Sequence, residues 1–371
     1  PDPGLYRIRV VDDRPPELTV LAPARGEIEL VPGGALALRV RAEDDFGLAQ
    51  LGWRVRTAEG SGGGELLGEA ELLARREGVR RGKQARDAAL ASTRFELSSL
   101  RVNGAPPTID ARLELEFFAH DQRAGGGGEG RSSPVRIRVV TPEELLRRLQ
   151  DRLAEARLDA LRLSEGQREK RTRIEELLDA LEGDGATDAG DDLALAATLA
   201  GERRVLNDAQ ALARALAAAA EDVLYARLDD KAGALLEFLD TRQAALLDER
   251  FAPAPWRELA RECAAGRLTS SGFAPTLVRL VELALVVSDD HAASAVQALA
   301  RAGEAEANTT RAEALSAAGA EAQKVEAALE TLLAELAEWD NFQNVLTLAR
   351  DILNRQKALV DRTQQFATES K

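Results

Sequence analysis

The sequence predicts an α+β, multidomain chain: a β-sandwich first, then an elongated all-α region of helical bundle and coiled coil. Three observations carry this prediction. Up to about residue 140, apolar and polar residues alternate in short runs. Beyond it the apolar residues recur every three or four positions. Between the two, Thr141-Pro142-Glu143-Glu144 has the form of a helix start. The 371 residues exceed one ordinary core and suit about two or three domains.

The strand runs, in order, are Tyr6–Val10, Leu18–Leu21, Leu36–Val40, Leu51–Val55, Phe95–Leu97, Leu113–Phe117 and Val135–Val139. Arg14-Pro15-Pro16, Pro32-Gly33-Gly34, Gly60 to Gly64, Gly104 to Pro107 and Gly125 to Gly128 separate them, since Gly and Pro supply the backbone angles of turns. Seven short strands at this spacing, six of them within residues 15–140, predict an immunoglobulin-like sandwich over that stretch. Trp53, mid-strand on the alternating apolar face, is the expected centre of its core. Residues 1–14 allow two readings. Tyr6 to Asp12 echoes Val135 to Thr141, so the segment is either the final strand of a preceding sandwich domain, with Asp13 to Pro16 as linker, or the first strand of this one.

The helical part covers residues 141–371. Thr141 suits an N-cap, Pro142 the first helical position, and Glu144 completes a capping box. Leu149, Leu153, Ala156, Ala160 and Leu163 then form a heptad-like seam, continued by Ile174, Leu177, Leu178 and Leu181 to Gly183. Gly183 to Asp192 reads as a loop, and a second helix is expected from about Asp192 through Asp222 and on to Leu247, ended by Pro253 and Pro255. A short helix from Trp256 to Ala265 and an apolar one from Pro275 to Ala302 follow. The last starts near Asn308 and keeps a heptad seam through Val325, Leu332, Trp339, Phe342, Leu346, Leu353, Gln356 and Val360.

Little in the sequence points to chemistry. Asp plus Glu number 63 against 49 Lys plus Arg, and the net charge of −14 repels phosphate backbones, so nucleic acid is not an expected partner. The single cysteine, Cys263, excludes an intrachain disulfide and fits a small buried hydrophobe. Neither histidine, His120 nor His291, stands in a nucleophile–base motif, and no CxxC, HExxH, Walker or dinucleotide-binding pattern occurs. No cofactor and no catalytic residue are therefore expected. Glu43-Asp44-Asp45-Phe46-Gly47, with Asp121, is the one constellation suited to an ion, because calcium takes six to eight oxygens that loops at a sandwich pole can supply. Asp44, Asp45 and Asp121 are thus candidate calcium ligands. In the plainer reading the aspartates close a turn, Gly47 supplies its angle and Phe46 plugs the end of the core. Trp339, Phe342, Leu346 and Leu353 are candidate partner-binding residues, or packing residues of a bundle.

Val40-Arg41-Ala42-Glu43-Asp44-Asp45-Phe46-Gly47-Leu48 and Glu338-Trp339-Asp340-Asn341-Phe342-Gln343 resemble segments of large, uncharacterised bacterial proteins that carry an N-terminal membrane anchor, immunoglobulin-like repeats and a long helical region. The Arg-Val-Val-Asp-Asp-Arg-Pro-Pro stretch shares that likeness. The resemblance implies a place in the cell envelope, on the periplasmic or extracytoplasmic side, with membrane attachment through a segment outside these residues. It transfers no active-site residue. The expected role is a non-enzymatic structural or interaction protein whose sandwich is a spacer and whose helices bind a protein partner or self-associate. A calcium- or glycan-binding module is the alternative reading, and an envelope hydrolase the third.

Overall fold

The computed structural model describes residues 14–58, 64–72, 74–81, 84–102, 104–122, 128–184, 189–229, 231–244, 251–268 and 272–369. Side chains are described in these ranges except at 74–87, 183–184, 189 and 340–369, where that of Gln356 alone is. The strand expected at Tyr6–Val10 lies outside the described residues. The fold is α+β, with two sheets followed by a helical region. The strands are β1 (Glu17–Ala22), β2 (Glu27–Leu30), β3 (Ala35–Asp44), β4 (Leu48–Thr57), β5 (Leu66–Glu71), β6 (Ala74–Arg81), β7 (Gln84–Glu96), β8 (Arg112–Asp121), β9 (Glu129–Arg131) and β10 (Val135–Val139). One sheet has the order β1-β3-β7-β6. The other runs β2-β10-β8-β4-β5, with β9 beside β8. Neighbours are antiparallel except β2 and β10, which run parallel.

The chain packs as two compact units, Pro1–Leu146 with Ala220–Pro275, and Arg147–Ala219 with Thr276–Lys371. The change of period at Thr141 marks where secondary structure changes; packing divides the chain elsewhere. In the first unit β3 is buried on both faces, Leu36, Leu38, Val40 and Ala42 on one and Ala35, Ala37 and Arg39 on the other. A strand covered twice needs a near-continuous apolar run, which Ala35-Leu36-Ala37-Leu38 supplies. Leu36 is in register with Phe95 on β7, whose ring meets Trp53 of β4 edge-on at 5.3 Å, so the two sheets share this core. Trp53 is half-buried rather than central. It lies beside the edge strand β5, where Ala70 and Gly68 give its indole little cover. The fully buried aromatics of the sheets are Phe95, Phe117 and Phe118.

The helices are α1 (Pro142–Asp184), α2 (Ala189–Ala226), α3 (Ala232–Gln243), α4 (Pro253–Ala264), α5 (Phe273–Leu285), α6 (Ala293–Glu304) and α7 (Asn308–Glu369), with a π-helical segment Val286–Ala292 between α5 and α6. The Thr141 hydroxyl accepts the Glu144 N–H at 3.1 Å, as the cap requires. The expected run of α2 to Leu247 is broken at Ala226. Arg227 adopts φ 50°, its N–H donates to Leu224 and that of Leu228 to Val223, which is the Schellman closure. An arginine stands where glycine is the usual signal. Pro253 opens α4 instead of ending the previous helix, and it fits there because a first-turn N–H has no intrahelical partner. The Asp229 carboxylate accepts the N–H groups of Lys231 (2.5 Å) and Ala232 (3.1 Å) at the start of α3 and of Ala274 (3.1 Å) at the start of α5.

In the second unit α1 and α7 run antiparallel, since Arg168 pairs with Glu330 at 3.1 Å and Arg171 with Glu326 at 2.8 Å. Three seams of heptad spacing are buried. Leu149, Leu153, Ala156, Ala160, Leu163, Gln167 and Ile174 lie on α1; Leu195, Thr198, Glu202, Val205, Ala209, Leu212 and Leu216 on α2; Leu315, Ala318, Ala322, Val325, Leu329, Leu332, Leu336 and Trp339 on α7. Burying such stripes against each other is what holds helices of this composition together. Among the described residues no helix is long and apolar enough to cross a membrane.

Candidate functional site

Asp44, Asp45 and Asp121 come to one end of the sheets, as the sequence suggests: Asp44 closes β3, and Asp121 is in register with Leu48, the first residue of β4. One oxygen each of Asp44 and Asp121 holds a turn, while Asp44 Oδ1 and Asp45 Oδ1 are buried without a hydrogen-bond partner. Asp44 Oδ2 accepts the N–H of Phe46 (2.9 Å) and Gly47 (2.6 Å), and Asp121 Oδ2 accepts that of Gly128 (2.8 Å). Gly47 takes φ 116°, which side chains rarely adopt. Burial raises the Asp44 carboxyl above its ordinary range, the two N–H donors oppose this, and Asp45 and Asp121 add to it. Among the described residues no three His, Cys, Asp or Glu side chains are arranged to hold a metal ion. Phe46 does not plug the core; it is 58% exposed at the tip of the turn.

Of the candidate partner-binding residues, Trp339 is buried at 5% exposure. The side chains of Phe342, Leu346 and Leu353 lie outside the described residues, and Gln356 is exposed. The His120 ring lies edge-on to Phe118 at 5.6 Å, and His291 Nδ1 is 3.1 Å from Glu321 Oε2. Cys263 is buried in α4. A groove of about 460 Å³ runs between α1 and α2, lined by Lys170, Arg173, Glu176, Leu177, Ala194 and Thr198 among others.

The densest electrostatic arrangement was not predicted. On the face of β3 and β7 turned from the other sheet, Arg39 and Arg94 meet α3: Arg94 donates to Asp240 at 3.1 Å, and Arg39 to the carbonyl of Gln243. Arg25, between β1 and β2, grips Asp222 of α2 with both terminal nitrogens, Nη1 to Oδ2 at 3.0 Å and Nη2 to Oδ1. Such a fork is the strongest ion-pair geometry available to a protein. Glu221 beside it is pushed up to about 7, first by burial, with Arg25 opposing and Asp222 adding. Burial likewise raises Asp240, and lifts Tyr225 well above its ordinary value. Two ion pairs, Arg25–Asp222 and Arg94–Asp240, and the Arg39 bond to the last carbonyl of α3 together clamp α2 and α3 onto the sheet. Its signals were an arginine inside the apolar run Leu38-Arg39-Val40 and the acid pair Glu221-Asp222 closing an alanine run.

No protein-family model and no curated protein matches the sequence. Among solved structures the chain is similar to that of Astrotactin-2, described as a conserved vertebrate-specific and perforin-like membrane protein involved in neuronal development. The identity is 11% and the TM-score 0.17, over 72% of this chain and 38% of that one. A likeness at that level carries no argument about fold or function.

Proposed function

We propose that the chain is a non-enzymatic structural and interaction protein of the bacterial cell envelope, with an immunoglobulin-like sandwich as spacer and the helical region as the surface that binds a partner or self-associates. The strand order supports the sandwich: β1-β3-β7-β6 corresponds to A-B-E-D, and β10-β8-β4-β5 to G-F-C-C′. Trp53 then stands on strand C, where that fold keeps its tryptophan, although the lone cysteine rules out the usual inter-sheet disulfide. The buried heptad seam of α7 supports the second role, because in sequence it continues past Trp339 as Phe342, Leu346 and Leu353. The place in the envelope rests on the resemblance alone, and fractionation of host cells tests it: recovery in the cytoplasm would refute it. For the surface, sedimentation over a wide concentration range compares the wild type with Leu346→Asp plus Leu353→Asp. A wild type that self-associates and a double variant that is a folded monomer support the reading. A wild type that is monomeric throughout, and whose double variant unfolds, overturns it, since the seam would then be closed within one chain, on α1.

A further inference from the structure

Apart from Thr198, the heptad-seam residues of α1 and α2 are apolar except where they bring Gln167 and Glu202 together, both fully buried, with Gln167 Nε2 donating to Glu202 Oε1 at 2.8 Å. The other two oxygens of this pair, Gln167 Oε1 and Glu202 Oε2, are buried and have no hydrogen-bond partner. Two buried acceptors left without a donor between two apolar stripes would be costly to both side chains. One proton satisfies both.

We propose that Glu202 is held as a neutral carboxylic acid whose O–H donates to Gln167 Oε1, closing a cyclic acid–amide pair that locks α1 to α2 and loosens when pH rises enough to remove the proton. The surroundings favour this state. Burial is the largest influence on Glu202 and raises its affinity for the proton; the Gln167 bond and Lys170 oppose it. Lys170, whose stem lies over Gly201 and whose amine is 3.4 Å from Glu169, is the one charged group among the described residues that acts on Glu202. Of the other charged neighbours, Arg168 and Arg171 on α1 are turned to Glu330 and Glu326 of α7. Arg203 and Arg204 on α2 are exposed, and His291 of the π segment is engaged with Glu321. A polar pair on such a seam also fixes the register of its helices, the best-attested use of a buried polar group.

The test uses the whole chain, wild type, Glu202→Gln and Glu202→Ala. Infrared difference spectra with isotope-labelled glutamate report the carboxylic-acid carbonyl stretch directly. At neutral pH the wild type should show a protonated glutamate band that Glu202→Gln removes; its absence from the wild type, with a carboxylate band lost instead, would overturn the proposal in favour of a Lys170–Glu202 ion pair. Thermal unfolding gives a second reading. Glu202→Gln, which keeps the pair neutral, should match the wild type at mildly acidic pH and exceed it at alkaline pH. A Glu202→Gln variant that is less stable than the wild type at every pH, with an unchanged pH slope, would sink the proton lock; Glu202→Ala gives the size of the loss when the pair is simply broken.

Discussion

A Cβ built at position 52 would stand 2.5 Å from the tip of the Phe118 ring and 2.8 Å from the Ala70 carbonyl oxygen, so β4 passes between its neighbours only as glycine. Phe118 also carries the Arg54 guanidinium, which lies 4.2 Å from the ring centroid while pairing with Glu129 at 2.9 Å. Gly52→Ala is therefore expected to cost about 1–3 kcal/mol, the usual range for overpacking; chemical denaturation followed by CD measures it. Trp53→Ala should cost roughly 2–3 kcal/mol, below the value for a fully buried aromatic, since part of the indole is already in water. Asp222→Ala is the more damaging change. It leaves Arg25 against α2 without its bidentate partner, and breaking a largely buried pair from one side costs roughly 2–4 kcal/mol once partial exposure of Arg25 is allowed for. A loss below about 1 kcal/mol would mean that the fork is solvated and contributes little.

At the scale of elements, Asp229 ties the start of α3 to the start of α5 with one carboxylate, and its charge suits both helix dipoles. Asp229→Ala removes caps from two helices at once and should cost about 2 kcal/mol, whereas Asp229→Asn should recover much of it; paired denaturation curves decide. Its bonds to Lys231 and Ala232 are local, but nothing in the sequence announced the one to α5, because Ala274 lies 45 positions away. Elements with a strong signal were legible: β4, β8 and β10 alternate, β3 carries an apolar run, Thr141 caps α1, and α7 starts at Asn308. The ones missed lack the signal that periodicity needs. Glu27–Leu30 is too short, Ala74–Arg81 is mostly polar, and α2 stops at an arginine in the left-handed region where glycine would have marked the end. The acid–amide pair was hidden for a related reason. Gln167 and Glu202 look like ordinary surface residues of charged helices, and only the buried residues on either side place them on the seams. The turn at Asp44 was readable because its partners are local; the Arg25, Arg39 and Arg94 cluster was not, because each arginine finds its partner more than 140 positions away.

At the scale of the molecule, the perturbed acids among the described residues lean one way. Asp44, Glu202, Glu221 and Asp240 are all raised, each first by burial, while the lowered acids Glu262 and Glu321 owe their shift first to Arg267 and Lys324 near the surface. A raised carboxyl binds its proton more tightly folded than unfolded, so between its unfolded and folded values the native state holds the extra proton, and stability falls as pH rises. A lowered carboxyl does the reverse, but only below about 4.5, outside this window. Glu221, which moves from 4.5 to about 7, sets the main window, and its loss across it amounts to about 2–3 kcal/mol. The net charge of −14 at pH 7 acts in the same direction, since self-repulsion of the compact state grows as the remaining acids ionise. The chain should therefore be most stable near pH 5 and lose stability steadily toward pH 7.5, unlike a protein whose acids are stabilised as carboxylates. Calorimetric unfolding at fixed ionic strength across that range measures the slope. Glu221→Gln should remove most of the decline in the transition that reports the first compact unit while Arg25 and Asp222 remain paired. A wild type whose unfolding temperature rises from pH 5 to pH 7.5 would show that Glu221 ionises in the fold near its ordinary value, stabilised by Arg25 and Arg39 more than burial opposes it.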